Sequence, residues 1–329
     1  MEEKIEKELK WAVLGTGVIA NEMVQALEKM GKKLYAVANR THSKAVEFAK
    51  KYGVEKVYDK IEDMFTDEET DIIYITTPHN THIKFMIEAL KNEKHVLCEK
   101  SITLNSEELE EAVKIAKEKN LILVEAMTIF NMPLYTELSE IVNSGKLGDV
   151  RMIQVNFGSY KEYDMNNRFF NRNLAGGALL DIGVYAISIT RLFMTSKPDN
   201  VLSQVKYAPT GVDEQASIIM MNKEQQMSTI ALTLHSKQPK RVVIACEKAY
   251  IEITEYPRAD KAKIVYTETG EIEEITAGMT ANALQYELQN MEESVKTGIN
   301  KMKLEYTIDV MDIMTKLRKE WGMTYPEEE

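Results

Sequence analysis

Two stretches of this 329-residue chain carry side chains able to hold or move a proton. The first is Val96-Leu97-Cys98-Glu99-Lys100-Ser101, an apolar run ending on an acid and a lysine. If the run is a strand of a parallel sheet, it ends at the carboxyl edge, beside which open α/β sheets bind ligands. Lys100 then points into a cleft. A lysine there can hold a substrate oxygen, and burial or a neighbouring cation brings its pKa toward neutrality, where it can exchange protons. A solvated charge at a strand end has the same local sequence, so the rest of the chain must decide. The second stretch runs from Arg168 through Gly176-Gly177 to Asp181 and Tyr185. From Ala178 onward its spacing is helical, and Asp181 and Tyr185, four apart, share one helix face. After the Gly-Gly turn such a helix can project a carboxylate and a phenol into a cleft, or the two can satisfy each other inside a buried helix.

The elements around the first stretch alternate strand and helix. Leu9 to Leu14 reads as a short buried strand running straight into Gly15-Thr16-Gly17-Val18-Ile19-Ala20 and a helical pattern through Lys29. This is the G-x-G-x-x-G/A fingerprint in its strand-turn-helix setting. The first glycine allows the tight turn, the second lets backbone approach a pyrophosphate, and Ala20 allows close helix-strand packing. Phosphates are favoured at the helix amino terminus by free N–H groups and by the dipole. The next strand, Lys33 to Ala38, ends at Asn39-Arg40-Thr41. An NAD-specific site places an acid about 20 residues after the fingerprint to meet the ribose 2′-hydroxyl. None stands here, and the Arg40 guanidinium suits a 2′-phosphate by charge and bidentate geometry, so NADP(H) is expected over NAD(H).

Further along, His42 to Tyr52 reads as helix, Lys56 to Tyr58 as an edge strand and Asp71 to Ile75 as a central strand. The loop Thr76-Thr77-Pro78-His79-Asn80-Thr81-His82 follows, where Pro78 extends the residue before it and Asn80 or Thr81 can cap a helix from His82 to Lys91. The loop is expected to line the cofactor's ribose and nicotinamide. His79 and His82 lack a third ligand, so no metal is expected. Asn105 opens a helix with acids in its first turn, and Leu121 to Val124 is the sixth strand, followed by Glu125-Ala126. Strands alternating with helices in this order give a parallel, doubly wound α/β sheet over residues 1–125.

Past residue 125 the period changes. Pro133 opens a helix to Asn143, and Gly145 and Gly148 suit left-handed positions after it. Seven β-forming runs follow, at 150–157, 201–207, 215–221, 227–234, 242–246, 250–253 and 263–266, several of them alternating apolar and polar residues. They predict a mostly antiparallel open sheet, making residues 126–304 a second, α+β domain. Residues 281–297 and 309–320 read as helices, and a closing helix within 305–325 is expected to pack back on the first domain.

Composition narrows the function classes. The net charge of -11 argues against a nucleic-acid partner, which needs a basic footprint, and against an anionic membrane surface. The first ten residues lack the apolar core of a signal peptide, and no eighteen apolar residues run together, so a cytoplasmic protein is expected. Cys98 and Cys246 are far apart and fit a reducing compartment without a metal cluster.

Together, the glycine turn, Thr77 to His82, Glu99-Lys100, Glu125-Ala126 and Gly176 to Tyr185 resemble the Gfo/Idh/MocA oxidoreductases over essentially the whole chain. The branch with tyrosine at the last helix position, containing glucose-fructose oxidoreductase and dimeric dihydrodiol dehydrogenase, is similar. The resemblance implies a Rossmann domain, NAD(P)-linked oxidation of a hydroxyl on a small-molecule substrate, and a homodimer or dimer of dimers through the carboxyl-terminal sheet. It adds Thr76, Thr77, Pro78, Asn80, His82, Glu99 and Lys100 to Gly15, Thr16, Gly17, Val18, Ile19, Asn39 and Arg40 as cofactor residues. The substrate would meet Lys100, Thr128, Arg168, Asp181 and Tyr185. Two departures stand out. Ser101 replaces the family's proline and is expected to loosen the backbone after Lys100, and Met127-Thr128-Ile129-Phe130-Asn131 replaces an aromatic and an arginine that shape the pocket of dihydrodiol dehydrogenases.

The chemistry expected is hydride transfer between NADP(H) and a carbinol or carbonyl carbon of a sugar, polyol or related compound. Tyr185, its pKa lowered by the Lys100 ammonium, would move the proton; Lys100 would hold the substrate oxygen and Asp181 orient both. Lys100 as the proton carrier is the alternative assignment. Two other readings are a catalytically silent NADP(H)-binding sensor or scaffold and, more weakly, a metal-dependent hydrolase using His79 and His82.

Overall fold

The structure, a computed structural model, describes residues 8–329. Strands β1 (Trp11–Leu14), β2 (Ala36–Ala38), β3 (Lys56–Val57), β4 (Ile72–Ile75), β5 (His95–Glu99) and β6 (Leu123–Ala126) form one sheet in the order β3-β2-β1-β4-β5-β6, parallel throughout. β1, β2, β4 and β6 are buried at every position. Continuous burial is what a sheet covered on both faces requires. The covering helices are α1 (Val18–Lys29), α2 (His42–Tyr52), α3 (Ile61–Thr66), α4 (His82–Lys91) and α5 (Ser106–Glu118). Chain order reverses between β1 and β4, which opens a crevice at their carboxyl ends.

Most of these elements start and stop where the sequence predicts. α5 is capped by the Asn105 side chain, which accepts from the Glu108 N–H at 2.9 Å. α4 is not capped as expected: a tight 3₁₀ turn, His79–Thr81, precedes it, and the Thr81 hydroxyl turns back to Pro78 O at 2.7 Å. β6 lies two residues later than expected, so Glu125 and Ala126 belong to the strand.

The second half holds α6 (Pro133–Asn143), α7 (Val184–Phe193) and strands β7 (Val150–Gly158), β8 (Asn200–Tyr207), β9 (Asp213–Met221), β10 (Met227–Thr233), β11 (Gln238–Cys246), β12 (Ala249–Thr254), β13 (Lys261–Tyr266) and β14 (Ile272–Thr276). They form one sheet in the order β14-β13-β12-β11-β7-β10-β9-β8, antiparallel except where β10 joins β7. β14 escaped the sequence reading because its Ile-Glu-Glu-Ile core hides the alternation behind two acids. The segment Arg172–Phe193 is long and apolar enough to cross a membrane, yet most of it is buried inside the fold. It supplies α7, which packs on β7 and β10.

Two closing helices join the halves. α8 (Ala283–Thr297) puts Leu284, Leu288 and Met291 into the core formed by Met23, Val24 and Leu27 of α1, and Trp11 Nε1 donates to Glu292 at 3.0 Å. Each such buried side chain contributes about 1.5–3 kcal/mol. α9 (Leu304–Glu320) lies against α5 on one side and α7 on the other, so it touches both halves rather than the first alone. Thr315 accepts from Ser106 N at 2.9 Å, and Arg191 Nε donates to Asp309 at 2.7 Å.

Candidate active site

The glycine turn is built as its sequence requires. Gly15 has φ +112, and a Cβ there would lie 2.4 Å from Thr76 Oγ1, so only glycine fits between β1 and the loop after β4. Gly17 is the N-cap of α1 and a Cβ on it would meet nothing within 4 Å: the backbone faces open space. No acid stands in the first turn of α1, and Ala20 is fully buried. Bare N–H groups at a helix start, facing an open cradle, fit a pyrophosphate.

Beyond the turn, Asn39 is spent on bracing the loops. Its amide donates to Thr16 Oγ1 at 2.8 Å and its carbonyl accepts from Thr41 N at 2.8 Å. Arg40 is exposed and has no hydrogen bond or ion pair to any other described residue.

A cleft of about 420 Å³ opens from this turn toward the second half. It is lined by Gly17, Val18 and Ile19, by Thr76 to His79, by Glu99 and Lys100, and by Arg168, Phe169, Leu174 to Gly176 and Asp181. Tyr185 is not among the lining residues and adjoins the cleft through Lys100, and three further expected site residues face elsewhere. His82 is fully buried, with Nδ1 3.0 Å from Ser101 O and Nε2 2.8 Å from Thr77 O, so it ties two loops together and neither nitrogen is free for a cofactor or metal. Asn80 donates to Glu327 and, at 3.4 Å, to Asn173 O. Thr128 is buried in a 3₁₀ turn and donates to Pro257 O at 2.7 Å. In each case a tertiary carbonyl or carboxylate has taken a polar group that the local sequence leaves unassigned.

Lys100 is fixed by the segment carrying Asp181. Its ammonium donates to the Asp181 backbone carbonyl at 2.6 Å and to Oδ1 at 3.3 Å, and lies 4.8 Å from the centre of the Tyr185 ring. The Lys100–Ser101 peptide is cis. Ser101 does not loosen the backbone: it is fully buried and its hydroxyl donates to Leu180 O at 3.0 Å. Leu180 and Asp181 belong to a π-helical turn, Leu179–Gly183, ahead of α7, where Val184 N reaches back to Leu179 O. Asp181 and Tyr185 therefore do not sit on one α-helical face, yet both reach Lys100.

The Gly-Gly turn before this segment is shaped by Asp213. Gly177 has φ +125, and a Cβ on it would lie 2.2 Å from Asp213 Oδ1; the other carboxyl oxygen accepts from Leu179 N at 2.6 Å. Asp213 is fully buried, and burial raises its pKa to about 7 against the lowering by its Leu179 hydrogen bond and Arg318.

Charge states in the cleft follow from these contacts. Burial lowers the Lys100 pKa, but Tyr185, Asp181 and Glu99 outweigh it, and the net shift is upward. Burial raises the Asp181 pKa, yet Lys100 and Arg168 bring it below the usual carboxylate value, so the pair is ionised. Tyr185 departs from expectation. Burial raises its pKa above that of an ordinary phenol, and the Lys100 ammonium reduces this rise without reversing it. His79 is held well below its usual value by burial and then by His82 and Lys100, which makes it a neutral imidazole in the cleft wall. Glu99 accepts from the Tyr74 hydroxyl, and burial raises its pKa.

The sequence reading singled out Arg168 but not its neighbours Phe169, Leu174 and Ala175, which line the cleft with it. Their signal was the Gly176-Gly177 turn, which folds this loop back on itself: Gly177 N donates to Phe169 O at 2.9 Å. Arg258 also went unnoticed. Its guanidinium donates to Glu22 of α1 at 3.0 Å and clasps the second half to the cofactor helix.

Comparison with known proteins agrees with this architecture. Residues 9–127 match the GFO_IDH_MocA oxidoreductase family, with an NAD-binding Rossmann fold, and residues 135–252 match the GFO/IDH/MocA C-terminal domain. The chain is similar to trans-1,2-dihydrobenzene-1,2-diol dehydrogenase of Xenopus laevis, 30% identical over 96% of this chain and 99% of that protein. The Homo sapiens protein of the same name is 26% identical over 97% and 99%. Among solved structures, KijD10, a 3-ketoreductase from Actinomadura kijaniata in complex with NADP and TDP-benzene, superposes with a TM-score of 0.84. It is 18% identical, covering 95% of this chain and 98% of that one. Levoglucosan dehydrogenase in complex with NADH superposes with a TM-score of 0.86 at 16% identity, covering 96% and 97%. With matches to both halves and a 30% identical relative spanning its length, the chain belongs to the Gfo/Idh/MocA family of oxidoreductases.

Proposed function

We propose that this protein transfers a hydride between NADP(H) and a carbinol or carbonyl carbon of a sugar, polyol or related small molecule. The observation that carries the reading is the convergence of Lys100, Asp181 and Tyr185 beside the open glycine cradle. Binding a dinucleotide without chemistry requires none of the three, which sets the enzyme reading above a silent redox sensor. The glycine turn and the amino terminus of α1 would hold the pyrophosphate, and Arg40 would meet a 2′-phosphate. The nicotinamide supplies or accepts the hydride.

The chain's own groups handle the substrate oxygen and its proton. Lys100, charged and anchored on Asp181, donates a hydrogen bond to that oxygen and stabilises negative charge on it. Tyr185, whose hydroxyl makes no hydrogen bond to any described residue, stays protonated near neutrality and gives its proton to the oxygen of a carbonyl being reduced. Residues 1–125 would serve the nucleotide and 126–304 the substrate. Outward-facing Leu202, Ile219 and Ile272 on the second sheet support a homodimer formed through that face.

Single-turnover measurement of NADPH oxidation tests the site. Lys100→Met and Tyr185→Phe should each slow hydride transfer by about 10² to 10⁴-fold. Near-parental rates in both would refute the site.

A further inference from the structure

Building on the hydride-transfer reading, we propose that the substrate carries an anionic group, a carboxylate or phosphate, bound by Arg168 and Lys161 on the Phe169 side of the cleft. Arg168 and Phe169 both line the cleft. Two cations share the one ring: Lys161 Nζ lies 4.1 Å from the Phe169 ring centre and Arg168 Cζ 4.4 Å. A ring can attract a cation, but it does not neutralise the repulsion between two. Nor does anything else nearby. The Lys161 ammonium has no hydrogen bond or ion pair among the described residues. Among the described residues the one carboxylate that the Arg168 guanidinium approaches is Asp181, at 3.9 Å, and that carboxylate already receives the Lys100 ammonium at 3.3 Å.

Neighbouring groups do not change this balance. Glu99 is turned to the Tyr74 hydroxyl. Lys240, a further cation 5.4 Å over the Phe157 ring, is paired with Glu255 at 3.0 Å. Burial lowers the Lys161 pKa, Asp181 raises it, and Arg168, Lys100 and Lys240 lower it, so the cations act on one another across this wall. In a chain of net charge -11, Lys100, Arg168 and Lys161 set against the two carboxyl groups lining the cleft, Asp181 and the Tyr74-bound Glu99, make a local excess of positive charge. A neutral polyol would leave it uncompensated, whereas a carboxylate or phosphate would close it with the bidentate geometry that a guanidinium offers. The anion then fixes one end of the substrate while the carbinol oxygen sits at Lys100.

The test compares glucose, glucuronate and glucose 6-phosphate. Affinity for the nucleotide-loaded protein is measured by calorimetry and kcat/KM with NADP⁺ by absorbance, in the parent, Lys161→Met and Lys161→Arg. At least one charged sugar should bind about tenfold or more tightly than glucose, and which one does so separates a sugar acid from a sugar phosphate. Lys161→Met should cut that preference about tenfold and Lys161→Arg should restore it. Equal affinity for charged and neutral sugars, including none measurable for any, overturns the proposal. So does a preference untouched by Lys161→Met, or an equal loss of NADPH affinity in that variant, which would assign the cation to the cofactor. Tight binding of a charged sugar without turnover upholds the anion site and refutes the hydride-transfer reading instead.

Discussion

The Lys100 ammonium lies over the face of the Tyr185 ring, 4.8 Å from its centre, and makes no hydrogen bond to its hydroxyl. The contact holds the phenol in place without drawing the proton off it, and burial leaves the Tyr185 pKa raised. In the proposed reaction carbonyl reduction would use the protonated phenol, so its kcat/KM should be flat through neutral pH. Oxidation by the same route would need the deprotonated form, so its kcat/KM should climb with pH into the alkaline range. Paired pH profiles check this; an oxidation rate that levels off below about pH 8 would assign the proton to a group other than a phenol.

Among the described residues the Arg40 guanidinium, just past the end of β2, has no partner, while Asn39 is committed to Thr16 and Thr41. Arg40→Ser should therefore weaken NADPH binding by about 10- to 100-fold, the range for losing a charge-assisted hydrogen-bond pair, and leave NADH binding nearly unchanged. Fluorescence titration with both nucleotides measures the difference. Parallel losses for the two would show that Arg40 serves only the loop.

Gly15 stands at φ +112 with Thr76 Oγ1 where a methyl group would go. Gly15→Ala should cost about 1–3 kcal/mol of stability from backbone strain and the clash together, and dinucleotide binding should be lost before the fold is. Urea unfolding alongside NADPH titration separates the two effects. Gly17→Ala is the informative partner: with open space around its Cβ, it should keep stability and lose affinity.

Asp213 gives a pH dependence of stability with a definite sign. Its folded pKa of about 7 lies above the ordinary 3.8. Between these values the native state keeps a proton that the unfolded chain has lost, so stability falls as pH rises from about 4 to 7. Asp213→Asn removes this dependence, and its stability relative to the parent should rise across that window by up to about 4 kcal/mol. Glu125, raised by burial to about 7, acts in the same direction in both proteins and cancels in the comparison. Unfolding curves at pH 5 and pH 8 decide the matter; a pH-independent difference would place the Asp213 proton elsewhere.

What the sequence reveals here is local. The buried apolar runs of β1 and β4, the glycine turn, the Asn105 cap and Pro133 at the start of α6 follow from rules spanning a few residues, and they appear within two residues of where those rules put them. The closure of Lys100 on Asp181 was approachable because both lie at punctuated positions, a strand end and a Gly-Gly turn. Other features depend on partners remote in the chain. The family resemblance places His82, Asn80 and Thr128 in the site, but the polar groups of all three are taken by carbonyls or a carboxylate of other segments. The rise in the Tyr185 pKa required knowing how deeply the ring is buried. The π turn at Leu179–Gly183 is invisible to helical spacing, which reads the same for four residues per contact as for five.

That turn has a consequence for variation at position 181. The shortest tether on the Lys100 ammonium is the main-chain oxygen of Asp181, at 2.6 Å, and the carboxylate is the longer one. A main-chain oxygen survives every side-chain replacement. Descendants of this gene could therefore exchange the aspartate, and with it the charge offered to a substrate, while inheriting the lysine in the same place.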